Sequence, residues 1–350
     1  MNKKEVFKIL IISTLTVLFA AALIKSPEPF AKGIRDAMQV CIETLVPSLV
    51  MFMALSHFAA YSGLCDLFGA LTGKAVKKLF NLPEISAGII LMSFIGGYPV
   101  GAKMTSLLLG EGKITKQSAK RLNLFTVNAG PAFIIGAVGN GFYGSAKIGI
   151  ILYLSSLAAS VTIGLLSGLV FKEKSSEAES GKYIVSSPAA AFTKAVTGAA
   201  YSVLKICVWV LFFGGVTGFI SSLSESDAAR LLCSFSEVTN GVKMCSQTYS
   251  LPFVSALISF GGISVMFQIL SDTEKSGAGF LTLLISRSAA GVFSYIFSLL
   301  LLKAFHIDSE VFAGFSQTVG VPYSVSLSGS VCTVIMCVLA IFEVDTRKKV

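Results

Sequence analysis

Residues 85–102 read Ile-Ser-Ala-Gly-Ile-Ile-Leu-Met-Ser-Phe-Ile-Gly-Gly-Tyr-Pro-Val-Gly-Ala, an uncharged apolar run with Gly96, Gly97, Tyr98, Pro99 and Gly101 clustered toward its end. A bilayer-spanning helix needs about 20 apolar residues, so the run is close to spanning length. Proline removes a backbone donor and glycine loosens the helix, so the cluster should interrupt it at membrane depth. Freed amides and carbonyls are costly in hydrocarbon unless they line a cavity inside the protein. Two more apolar stretches carry the same signal: 122–146 holds Asn128-Ala129-Gly130-Pro131, and 244–271 holds Pro252 and Gly261-Gly262. Broken helices of this kind point to a binding site.

The remainder of the chain fits a membrane setting. Of 350 residues, 54% are hydrophobic and 13% charged, against about 25% charged in soluble domains. The mean hydropathy is +0.79. Such a composition excludes a water-soluble enzyme with an ordinary polar surface, a disordered chain, collagen and a coiled coil. Apolar stretches lie near 9–24, 44–65, 85–102, 122–146, 148–171, 206–224, 244–271, 276–302 and 311–342. The net charge of +9 comes from basic residues scattered between these stretches, as membrane topology requires, with no nucleic-acid platform. Lys3, Lys4 and Lys8 at one end and Arg347, Lys348 and Lys349 at the other place both termini in the cytoplasm, with about eight crossings between them. The Lys113, Lys116, Lys120 and Arg121 cluster is then cytoplasmic too.

The opening run after Lys3-Lys4 resembles a signal peptide with Ala20-Ala21-Ala22 as its cleavage site, but Lys25 and the spans that follow favour an uncleaved first helix. Residues 64–83 suggest an interfacial amphipathic helix, or a plain loop helix. Leu67, Phe68, Leu71, Val76, Leu79 and Phe80 share one face there, and Lys74, Lys77 and Lys78 interrupt the apolar run. Seven cysteines with no C-x-x-C, and only His57 and His306, imply no disulfide framework, no metal site and no cofactor.

A polar stretch from Lys172 to Ser187 divides two apolar halves of similar order. Each has a long helix (about 36–62 and 193–222), then a first break (Gly96–Lys103 and Glu237–Lys243), then a second (Thr126–Phe133 and Ser259–Ser264). Paired interruptions in two halves signal an inverted repeat. The fold expected is an all-α polytopic membrane bundle with an inverted repeat and broken or re-entrant helices. Its parts are an N-terminal transmembrane helix (1–30), a first repeat (31–171), a polar loop (172–187), a second repeat (188–303) and a C-terminal helix with a basic tail (304–350).

Charges inside apolar stretches are the informative exceptions, because each is costly to bury. Lys103 follows the first break, Glu237 opens the Glu-Val-Thr-Asn-Gly run, and Arg287 is flanked by apolar sequence. Lys103 and Arg287 suit an anionic ligand or a pairing with Glu237; the alternative is snorkelling to a headgroup. Glu43, shortly before Pro47, fits the membrane boundary. Where a helix restarts, free N–H groups favour an anion, and unwound carbonyls favour a cation. Thr126, Asn128, Thr239, Asn240, Ser264 and Gln268 add hydroxyl and amide groups, although helix–helix hydrogen bonding accounts for isolated hydroxyls equally well. No G-x-x-x-x-G-K-[ST], G-x-S-x-G or H-E-x-x-H is present, so neither ATP-driven transport nor enzymatic catalysis has residues to carry it.

At the breaks the sequence resembles a known family. Gly96 to Lys103, Arg121 to Phe133, Gly136-Ala137-Val138, Gly141-Phe142, Glu237-Val238-Thr239 with Gly241, Phe260 to Val265 and Arg287 are similar to motifs of the sporulation integral membrane protein YlbJ family. The resemblance covers roughly residues 36–302. It implies kinship with nucleoside recognition, or Gate, domain proteins and with concentrative nucleoside transporters. It also implies passage of a small polar solute, nucleoside-like or an aromatic dianion such as dipicolinate.

The function expected is therefore secondary transport by alternating access, one half rocking against the other, across the cytoplasmic membrane or, in a sporulating source, a membrane around the forespore. Gly96–Lys103 and Glu237–Gly241 would hold the solute and Arg287 its charge. A small-molecule solute and membrane lipids are the partners expected; a coupling ion (Na+ or H+) and a homo-oligomer stay open. The alternative is a non-transporting scaffold or sensor for envelope assembly, whose breaks are packing devices.

Overall fold

A computed structural model describes residues 3–171, 187–224, 226–246 and 248–306. The expected C-terminal span at 311–342, the basic tail and most of the central polar loop lie outside the described residues. Among the described residues the secondary structure is helical, without strands. Six of the helices are long and apolar enough to cross a membrane. The protein is an all-α, multi-pass membrane protein.

Helix α1 (Lys3–Lys25) has none of its apolar window buried against the remainder of the protein. Its contact with the bundle is aromatic, Phe19 meeting Phe30 at 5.8 Å and Phe212 at 6.4 Å between ring centroids. A 35-residue span follows, made of α2 (Pro27–Val40), a π-helical turn (Cys41–Leu45) and α3 (Val46–Tyr61). Pro47 has no N–H to return to the preceding turn, and the helix widens there: the Val46 amide reaches back to the Cys41 carbonyl. Glu43 therefore lies within a π turn of a long helix.

Helix α4 (Leu64–Phe80) does not carry its apolar residues on one face as expected. Val76 and Phe80 are buried, whereas Leu67, Leu71 and Leu79 are exposed. One side packs on α5 and the other presents leucines outward, as an interfacial helix would.

The run that opened the sequence reading is not one interrupted span. It folds as α5 (Ser86–Gly96) and α6 (Val100–Gly110), two arms of 11 residues that pack against each other. Gly97, at φ 67° and ψ −160°, reverses the chain, and the Tyr98–Pro99 peptide bond is cis. Next comes a helix broken in line: α7 (Lys116–Phe125), capped by Thr115, then residues 126–130 without helix, then a π-helix (Ala132–Phe142). Helix α8 (Ala146–Val170) begins on the Ser145 cap.

The second half repeats this order. A 36-residue helix, α9 (Pro188–Leu223), precedes a hairpin of α10 (Asp227–Ser236) and α11 (Val238–Cys245). Then come α12 (Leu251–Phe260) and α13 (Gly262–Thr273), interrupted at Gly261, and the straight α14 (Phe280–Ala304). Among the described residues, α7 with its π-helix, α8 and α9 lie between the two hairpins.

Two expected interruptions are smaller than anticipated. Pro252 breaks nothing; it sits in the first turn of α12, where its missing N–H has no intrahelical acceptor in any case. Of the expected Glu237–Lys243 break only Glu237 is outside helix, because its side chain caps the restart at once. The halves also interlock. Helices α2 and α3 pack on α9, while α8 packs on α14 and α12, so each half donates its long helices to the other.

Candidate functional site

The tip of each hairpin rests on the broken helix of its own half. A Cβ on Gly97 would stand 2.4 Å from the Gly130 amide nitrogen, and Gly97 also has φ +67°, so both the turn and the contact require glycine. In the second half a Cβ on Gly262 (φ +79°) would lie 2.9 Å from the Val238 nitrogen and 3.3 Å from Glu237 Cα. Two side chains then tie the halves together. The Tyr98 hydroxyl donates to the Ile258 carbonyl at 3.1 Å, across to α12. Arg287 of α14 reaches back into the first-half break.

Between the tips lies a cavity of about 40 Å³. Gly96, Gly97 and Tyr98 line it from the first hairpin, Glu237 and Thr239 from the second, and Gln268 from α13. Its other walls are apolar: Leu45, Leu49 and Met53 of the first long helix, and Ile206 and Val210 of α9. A water occupies about 10–15 Å³ by this measure, so there is room for about three. The polar groups offered are a carboxylate edge, a hydroxyl and an amide, suited to water, a small cation or a donor group. Among the described residues no basic side chain lines it.

Three formal charges are buried among the described residues: Arg121, which donates to the carbonyls of Phe80 and Asn81, and Glu237 and Arg287, which are held by opposite helix ends. Glu237 is 1% exposed and accepts from the Thr239 amide (2.9 Å) and the Asn240 amide (2.7 Å), so a carboxylate sits on the positive end of α11. Arg287, also 1% exposed, donates to the carbonyls of Leu124 and Val127 and to Asn128 Oδ1 at 3.2 Å. Those carbonyls belong to the end of α7 and the break after it, where a helix leaves acceptors without partners. Asn128 in turn donates to the Phe125 carbonyl at 2.6 Å and accepts from Ser160 at 2.5 Å.

The structure therefore separates the expected site residues. Gly96, Gly97, Tyr98, Glu237, Thr239 and Gln268 converge on the cavity. Thr126 bonds the Leu122 carbonyl within its own helix end. Pro99 shapes the tip; Gly101 packs on the Thr126 carbonyl and Gly241 on Ser234. Ser264 is fully buried, and its hydroxyl has no partner among the described residues. Asn240 lines a different cavity. Lys103 is part-buried in α6 and does not line the central cavity. Arg287 neither lines that cavity nor pairs with Glu237 among the described residues; its two terminal nitrogens are engaged by the break, and its Nε has no partner among the described residues. In this arrangement it braces backbone and does not face the central cavity.

The apolar walls on α3 and α9 had no mark in the sequence, since any spanning helix is apolar. The buried His57 was likewise missed; its Nε2 lies 3.1 Å from the Ser202 hydroxyl, joining α3 to α9. A testable consequence concerns the other cross-half contact. Tyr98→Phe removes one hydrogen bond and should cost about 1 kcal/mol, a small fall in thermal stability without loss of fold. An unchanged melting curve would show that the Ile258 contact contributes nothing.

No family model matches this chain. No solved structure matches it either. Among curated proteins, the sporulation integral membrane protein YlbJ of Bacillus subtilis (strain 168) is 24% identical over 345 residues, covering 84% of this chain and 83% of the relative. The match runs through most of both chains, and so takes in the hairpins and broken helices that carry the motifs. Over most of its length the chain is thus similar to a sporulation integral membrane protein.

Proposed function

We propose that the protein is a membrane permease that passes a small polar solute by alternating access. The observation that supports this reading is the convergence of two hairpin tips and two broken helices on one cavity. Irregular backbone at membrane depth is stable where it is buried in protein or lines a pathway. The cavity, with room for about three waters, is then a closed state. A solute site forms when the tips withdraw from the apolar walls on α3 and α9. Because the halves interlock, we take the moving unit to be the tips with their broken helices, not one whole half.

Since no basic side chain among the described residues faces the cavity, a neutral, donor-bearing solute of nucleoside type fits it better than a dianion. We take the activity to be non-enzymatic and driven by a solute or ion gradient, Na+ or H+. The name of the relative leads us to place the protein in sporulation, in the cytoplasmic membrane or the membranes around the forespore. The test is counterflow in proteoliposomes with uridine and with dipicolinate, alongside thermal stabilisation by each. Counterflow of uridine supports the reading, and counterflow of dipicolinate alone would move the solute to the anionic class.

A second reading, a non-transporting scaffold for sporulation, is favoured by the cavity's small volume and by the self-contained partners of Glu237 and Arg287. Folded protein that neither exchanges nor is stabilised by any solute of a nucleoside and small-anion panel would select it.

A further inference from the structure

A second cavity, of about 710 Å³, lies between α2, α9 and α11. It falls within the range of about 300–1,000 Å³ typical of small-molecule sites. On its α2 wall stand Glu28, Lys32, Asp36 and Gln39, spaced four, four and three residues apart and so on one helix face. Such a face is costly against hydrocarbon, which gives a reason for its turning to a polar cavity.

The charges here are only partly satisfied by the protein. Glu28 is neutralised by Arg35 at 2.6 Å, and Gln39 donates to Glu43 at 3.0 Å. Lys32 and Asp36 make no ion pair among the described residues, nor does Lys243 on the α11 wall. Asn240, on that same wall, has a side-chain nitrogen that is buried and without a hydrogen-bond partner among the described residues. The protein thus leaves two ammonium groups, one carboxylate and one amide donor around a space of ligand size. A purely anionic solute would meet Asp36, and a purely cationic one would meet Lys32 and Lys243. A solute carrying one amine and two carboxylates complements all of them.

We propose that this cavity is a binding site for a small acidic zwitterion of the amino-dicarboxylate class, its carboxylates on Lys32, Lys243 and the Asn240 amide and its amine on Asp36. The site is separate from the central cavity, and its existence does not depend on the permease reading. It is tested by calorimetric titration of the full chain in lipid nanodiscs with L-glutamate, with glutarate, which lacks the amine, and with L-lysine.

Glutamate should bind saturably and about tenfold more tightly than glutarate, and lysine more weakly still. Asp36→Asn should close the gap between glutamate and glutarate. Lys243→Gln should weaken both by about tenfold. Both positions are exposed, so an unchanged melting curve confirms that each variant is folded. Absence of saturable glutamate binding, equal affinity for glutamate and glutarate in the unmodified protein, or indifference to both substitutions would overturn the proposal. None of these results bears on counterflow through the central cavity.

Discussion

Arg287→Met is expected to destabilise the purified protein by about 2–3 kcal/mol, enough to reduce folded yield before any solute is added. The substitution leaves the carbonyls of Leu124 and Val127 without the guanidinium that bonds both, and takes a donor from Asn128 Oδ1. A buried acceptor left unpaired costs about 1–3 kcal/mol. Relief from burying a cation offsets part of that, because charge desolvation is itself worth several kcal/mol. Arg287→Lys keeps the charge but loses the fork. One ammonium cannot serve two carbonyls in the same geometry, so less than half of the loss should be recovered.

The measurement is thermal unfolding in detergent without ligand. If Arg287 instead held a solute's charge, the methionine variant would melt like the unmodified protein and fail only in solute binding. That outcome would sink the bracing role.

The contrast shows where reading the sequence stops. The class of fold was legible because apolar length and sparse charge are sufficient evidence for spanning helices. The breaks at Gly97, Gly130 and Gly261 were legible too, since each is marked by residues whose backbone preferences are local. The hairpin folding of 86–110 was not. One interrupted span and two short arms have the same apolar composition, and the reversal at Gly97 is a matter of ψ that no residue type announces. Arg287 was identified as buried, but a guanidinium serves a carbonyl as readily as a carboxylate, and which acceptor it meets depends on how α14 packs on α7. Glu237 carried the same ambiguity. The six residues after it, Val238 to Lys243, were read as unwound, whereas its own side chain starts the helix that contains them.

The two long helices belong to the same lesson. Leu45, Leu49, Ile206 and Val210 look like any lipid-facing residues in sequence, yet they form the wall opposite the hairpin tips. Only the pairing of α3 with α9 across the halves turns two apolar surfaces inward. That pairing also bears on mechanism. A half that lends its long helix to the other cannot rock as a unit without breaking this interface, whereas the tips, in contact chiefly through glycine backbone, can be displaced with fewer side chains moved.

Glu237 is the position at which capping and lining can be pulled apart. Glu237→Ala removes the acceptor for the Thr239 and Asn240 amides and should cost about 2 kcal/mol, at the upper end for a lost helix cap because the site is buried. Glu237→Asp should behave differently. Aspartate is a strong N-cap residue, so α11 should keep its start and the protein its melting temperature. The carboxylate, however, is shorter by one methylene and withdraws from the cavity that Glu237 lines. If the cavity is part of a solute pathway, the aspartate variant should lose counterflow by more than about tenfold while remaining folded, since misplacement by about 1 Å in a positioned site is enough for losses of that order. Should Glu237→Asp exchange solute as fast as the unmodified protein while Glu237→Ala unfolds, the carboxylate would be a cap and nothing more. The solute would then have to be held by the Thr239 and Gln268 side chains and the glycine backbone of the first tip.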